Sequence, residues 1–195
     1  MFELQFKKVT VVFDFSFFAS VSLLILLGSG YAVLGLAACI WHEFGHLAVM
    51  RICGVPAKRI LFYGAGIKIM PDKQFYFTDF FTEFLVLIAG SSANFVLAAA
   101  LSFSGSFEMK LFSVINTAIG VFNLLPLQYL DGGKLLLAAI RRLCSFSCAC
   151  QLERFLKWIN IFLILSAMIS FAFVGKGNFT LYITLCYLLI SAVSC

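Results

Sequence analysis

Long apolar runs separated by short polar clusters dominate the chain. About 20 consecutive apolar residues cross a bilayer as a helix. Six stretches qualify, at about 11–27, 31–50, 80–103, 111–130, 158–174 and 179–195. Between the second and third, residues 58–63 and 67–70 flank Gly64-Ala65-Gly66, and Ile67-Lys68-Ile69 alternates apolar and polar positions. Glycine-containing loops between such runs favour a hairpin. An irregular loop is the competing reading. The pattern predicts an all-α polytopic membrane protein with about six transmembrane helices and a short cytoplasmic-side β-hairpin. Residues 1–195 form a single integral membrane domain in this reading, closing on a helix pair over about 155–195. No internal repeat interrupts it.

Composition sharpens the picture. Apolar residues make up 63% of the chain and charged residues 12%, against roughly 45–50% and ~25% in soluble proteins. Neither an ordinary soluble domain nor a disordered chain fits. The net charge of +5 comes from 14 Lys and Arg. With the N-terminus in the cytoplasm, all of these but Lys110 and Lys176 fall on the inner side, as the positive-inside rule requires. The charge therefore reports topology rather than nucleic-acid binding, and both termini are expected in the cytoplasm. Lys7-Lys8 before an apolar run imitates a signal peptide, and Leu36-Ala37-Ala38-Cys39 imitates a lipoprotein cleavage box. More spans follow instead of a hydrophilic domain, so cleavage is not expected. Cys144, Cys148 and Cys150 have no His nearby and fit no zinc spacing.

The chemistry lies in the few polar residues within the spans. His42-Glu43-Phe44-Gly45-His46 is an H-E-x-x-H pattern and contains both histidines of the chain. On a helix, positions i and i+4 share a face. Two imidazoles there can share one zinc ion, with the intervening Glu as general base. A polar His–Glu contact between packed helices is the bland alternative. Polar side chains inside a membrane span are costly and functional by default.

Catalytic zinc usually takes three protein ligands and a water. Asp131 stands out as the third. It ends the fourth span in Asn123-Leu124-Leu125-Pro126-Leu127-Gln128-Tyr129-Leu130-Asp131-Gly132-Gly133. Pro126 frees a backbone carbonyl, the glycines permit unusual angles, and irregular backbone at membrane depth lines a cavity or lies buried in protein. His46 and Asp131 each lie roughly 5–8 Å from the inner boundary, at 1.5 Å per residue. A helix-end carboxylate paired with Lys134 or Arg141 is the other reading of Asp131. Asn94, after Gly90-Ser91-Ser92-Ala93, is either an oxyanion donor or a tie between helices.

These residues resemble the site-2 protease family of intramembrane zinc metalloproteases (M50). The likeness rests on His42–His46, on Asn94 after its Gly-Ser-Ser-Ala stretch, and on Leu130-Asp131-Gly132-Gly133 preceded by Asn123 and Pro126. It spans a three-helix catalytic core over about 31–135. The compact form is similar to the stage IV sporulation protein FB group, although the sequence ends at Cys195 without the CBS domain usual there. Ser91 and Tyr129 stand where the family often has Pro.

The resemblance implies a metalloendopeptidase that cleaves transmembrane or membrane-tethered proteins. His42, His46 and Asp131 would hold one Zn2+ ion, Glu43 would be the catalytic base, and Asn94 would assist at the oxyanion. The lipid bilayer is the surrounding solvent, and a bacterial plasma membrane is the expected location. A regulatory membrane partner or a homo-oligomer is left open. The Lys58–Met70 ribbon would hold an unwound substrate by strand addition. Two other readings stand beside this one: a different membrane HExxH peptidase, or a non-catalytic scaffold or inactive relative.

Overall fold

Phe2-Glu3-Leu4-Gln5-Phe6 alternates apolar and polar residues, and it forms a strand, β1 (Phe2–Phe6). Val9-Thr10-Val11-Val12-Phe13 is rich in β-branched residues, which suit a pleated surface, and forms β2 (Val9–Phe13). The computed structural model describes residues 2–6, 9–15, 17, 18, 22, 30–63, 66–71, 79–127, 130–174, 186 and 189. They fall into two compact units, Met1–Leu124 and Leu125–Cys195.

In the first unit, β3 (Ala57–Tyr63) and β4 (Gly66–Pro71) complete a four-stranded sheet of order β1-β2-β3-β4. β1 and β2 pair antiparallel, β2 and β3 parallel, and β3 and β4 antiparallel. The expected ribbon is thus half of a mixed sheet, not a hairpin standing alone. Val12 is fully buried, and Phe13 stacks on Phe62 at 4.7 Å between centroids. The expected first span is corrected at its start, because residues 11–13 are strand. Most of its remainder lies outside the described residues.

A parallel pair needs a long crossover, and the β2–β3 crossover contains α1 (Gly30–Ile52). The end of α1 is tightly specified. Gly54 adopts φ 69°, Gly54 N–H donates to Arg51 O at 3.3 Å, and Val55 N–H donates to Met50 O at 2.8 Å. This is a Schellman motif, and its hydrophobic partners Met50 and Val55 are both buried. It stops the helix within two turns of His46 and turns the chain into β3.

α2 (Phe80–Ser102) and α3 (Phe107–Asn123) follow, joined by residues 103–106. Among the described residues, two helices are long and apolar enough to cross a membrane, α1 over Val33–Ile52 and α2. At 1.5 Å per residue, 23 residues reach about 34 Å, against a hydrocarbon core of ~30 Å. The expected fourth span is shorter than the pattern indicated, since α3 stops at Asn123. α1 and α2 pack through small residues. A Cβ on Gly45 would lie 2.7 Å from both Ala89 O and Ala93 Cβ, so only glycine permits that approach. Trp41 Nε1 donates to Ala93 O at 2.9 Å.

In the second unit, Asp131 begins a helix rather than ending one. α4 (Asp131–Leu143) and α5 (Phe146–Val174) form a pair, tied where Arg141 Nε donates to Glu153 Oε1 at 2.7 Å. The expected fifth span thus begins earlier than the apolar pattern placed it. The expected sixth, apart from residues 186 and 189, lies outside the described residues.

Candidate metal centre

The four-residue spacing of His42 and His46 on α1 brings their rings together. The centroids are 4.8 Å apart and the planes cross at 81°. Their Nε2 atoms are 3.1 Å apart. Two Zn–N bonds of ~2.05 Å at a tetrahedral angle would separate the nitrogens by about 3.3 Å, so the pair is spaced as a metal edge would space it. Both rings are buried, at 4% and 8% exposure.

The orientation of His46 is set from α2. Its Nδ1 lies 2.7 Å from Val86 O. A carbonyl only accepts, so Nδ1 carries the proton and Nε2 keeps its lone pair. That is the tautomer a metal ligand needs, fixed by a second partner as ligating histidines usually are. Gly90 makes room for the rings. A Cβ there would fall on His46 Nε2, and would lie 2.6 Å from His42 Nε2. Glu43, on the same turn of α1, is half-buried.

Asn94 lies one turn beyond Gly90 on the same face of α2, since i and i+4 align. It is fully buried. Neither its Oδ1 nor its Nδ2 has a hydrogen-bond partner among the described residues. Asn123 Nδ2 donates back to Ile119 O at 3.0 Å.

In the second unit, Asp131 is the first residue of α4 and is 6% exposed. A helix N-terminus favours a carboxylate. Lys134 Nζ donates to Asp131 Oδ1 at 3.0 Å, the pairing that sequence reasoning set against ligation. The donor set of two imidazoles and one carboxylate, all buried, is one that catalytic zinc takes. The Cys144 thiol is pushed above its ordinary range, first by desolvation and then by its hydrogen bond with Cys148.

Sequence reasoning missed three features. Val86 contributes a backbone carbonyl, which no side-chain pattern advertises. Ser91 and Asn116 are both fully buried. For Asn116 a signal was present, because Ser113, Asn116, Thr117, Gly120 and Asn123 form a polar and small stripe along α3 at helical spacing.

Comparison with known proteins places these observations in context. The family model described as peptidase family M50 matches residues 31–110 and 106–167. A provisionally named zinc metalloprotease of Synechocystis sp. is 31% identical over 121 residues, covering 57% of this chain and 31% of its own length. Rip3 of Mycobacterium tuberculosis, also provisionally named a zinc metalloprotease, is 29% identical over 130 residues, covering 60% and 32%. The chain thus spans about a third of the length of these curated relatives. The solved site-2 protease from Methanocaldococcus jannaschii superposes with a TM-score of 0.72 at 21% identity, covering 99% of this chain and 94% of that one. The fold is shared.

Proposed function

The chain belongs to peptidase family M50, and from that premise we propose that it is a zinc-dependent intramembrane endopeptidase acting on transmembrane or membrane-tethered proteins. The observation that carries this reading is the His42–His46 pair, with facing Nε2 atoms 3.1 Å apart and the His46 tautomer fixed by Val86 O.

His42, His46 and Asp131 would hold one zinc ion. When bound, zinc supplies Lewis-acid polarisation of a carbonyl and lowers the pKa of water. Glu43 removes the proton from the attacking water and passes it to the leaving amine. Asn94 donates an N–H to the scissile carbonyl oxygen as negative charge develops there. Lys134, bonded to Asp131 Oδ1 at 3.0 Å, restrains the rotation of that carboxylate. A helical substrate hides its peptide bonds and must unwind, and β4, at an edge of the sheet, offers backbone groups to an extended segment. Residues 1–195 act as one catalytic domain in this proposal. Both termini face the cytoplasm of a multi-pass protein with about six spans in a bacterial plasma membrane.

Co-expression with candidate membrane-tethered precursors, comparing wild type with Glu43→Gln, tests the reading. Processing by wild type with a loss of at least a hundredfold in the variant is expected. Equal processing by both rejects the catalytic assignment.

A further inference from the structure

Besides the His42–His46 pair, the first unit holds a second concentration of buried polar groups, between α2 and α3. Ser91, Asn94 and Asn116 are all fully buried. Ser91 Oγ, both amide atoms of Asn94 and Asn116 Oδ1 have no hydrogen-bond partner among the described residues. Asn116 Nδ2 is satisfied by Phe112 O at 2.9 Å, which fixes which end of that carboxamide is its acceptor.

The register of the two helices places these groups together. Ser113 Oγ donates to Ala98 O at 2.7 Å, and Gly120 lies against the Phe95 ring. Moving along α3 from 113 to 120 therefore moves backwards along α2, so the helices are antiparallel. Asn116 lies between these two contacts and on their face. Asn94 lies one turn before Ala98 on that face of α2, within about a helical turn of Asn116. A donor and an acceptor that are buried, close and not directly bonded are what an internal water bridges. Within a membrane span, leaving them unbridged is more costly than in a soluble protein.

We infer that Asn116 is a positioning residue: a buried water shared by its Oδ1 and the Asn94 carboxamide turns the Asn94 N–H toward the oxygen of the scissile carbonyl. This rests on the protease reading above and deepens it. Asn116 does not touch the reacting atoms. It acts through Asn94, by removing that side chain's freedom to rotate. Ser91, one turn before Asn94 on α2, offers a hydroxyl to the same water.

The test is a double-mutant cycle on the purified full chain, read in two ways. The first readout is the melting temperature in detergent and needs no substrate. Asn94→Leu and Asn116→Leu each leave one polar partner stranded, and each lowers it by several degrees. The double variant removes both partners and melts no lower than the worse single variant. The second readout is cleavage of a synthetic transmembrane peptide carrying a fluorophore and quencher. Asn116→Leu lowers kcat about tenfold with KM within twofold, and has no further effect in the Asn94→Leu background. Asn116→Ser keeps both a donor for Phe112 O and an acceptor, so it retains kcat within about threefold.

Melting losses that simply add, or kcat losses that multiply, overturn the inference. So does an Asn116→Ser variant as impaired as Asn116→Leu. If Glu43→Gln cleaves the peptide as fast as wild type, the protease reading fails and the catalytic role of Asn116 fails with it. The melting cycle then decides the shared water by itself.

Discussion

The two helix seams of the first unit differ in how they tolerate change. Along α1–α2 the backbones are in near contact. A Cβ on Gly45 would meet Ala89 O, a backbone atom, and a Cβ on Gly90 would meet the ring nitrogens of His42 and His46. Along α2–α3 the closest glycine, Gly120, faces only the edge of the Phe95 ring, the Ser113 hydroxyl bonds across to Ala98 O, and the buried amides make no bond across the seam among the described residues. The first seam holds the nitrogens proposed to ligate zinc, and its backbones leave no room for a Cβ at Gly45. The second meets a ring edge rather than backbone at its glycine, and buried polar groups lie along it. Rigidity is concentrated where bond lengths matter, and hydration where a side chain has to be aimed.

The largest break in this contrast comes from Gly90→Ala. The clash is with the ends of two imidazoles, which can rotate away, so the fold survives. The nitrogens that move are the ones proposed to ligate zinc. Zinc content should fall below a tenth of the wild-type value and cleavage by more than a hundredfold, while the melting temperature of the metal-free protein changes by only a few degrees. Metal analysis beside a melting curve checks this. Retained zinc would mean that the rings have room the structure does not show.

Gly45→Ala should do the reverse. Its Cβ meets backbone 2.7 Å away, which cannot rotate aside, so α1 and α2 must separate. Overpacking of this kind costs about 1–3 kcal/mol, and the loss should appear as a lower melting temperature with or without zinc. Activity falls in proportion to the folded fraction. A variant that melts normally but has lost zinc would show that Gly45 serves the ligands rather than the helix contact.

The chemistry of the first seam was legible in the sequence because histidines at i and i+4 in an apolar run admit few readings. Asp131 was legible as a candidate, but its place in a helix was not. Pro126 and the two glycines read as the close of a span, whereas Asp131 opens α4 and takes the N-terminal position that suits a carboxylate. The N-terminal strands were missed for another reason. Val9–Phe13 is a short apolar run, and periodicity alone does not separate such a run from part of a helix. Only its pairing with Phe2–Phe6 and with β3 identifies it. Val86 could not have been found, since the contribution is a carbonyl and any residue type would supply it.

Gly120→Ala should have the smallest effect, and it tests whether the second seam has slack. The added Cβ would lie 2.7 Å from Phe95 Cε1, 3.0 Å from Cζ and 3.1 Å from Cδ1. All three atoms belong to one edge of one ring, at the far end of a half-buried side chain. A small turn of that ring relieves the contact. Against the residual strain stands the helix preference for Ala over Gly, about 1 kcal/mol in a helix interior. The two terms nearly cancel, so the melting temperature should stay within a few degrees of wild type and the rate of peptide cleavage within twofold. A loss as large as that of Gly45→Ala would mean that Phe95 is as fixed as the Ala89 backbone. The α2–α3 seam would then have no slack to hold a bridging water, and the contrast between the two seams would fail at the point where Asn116 depends on it.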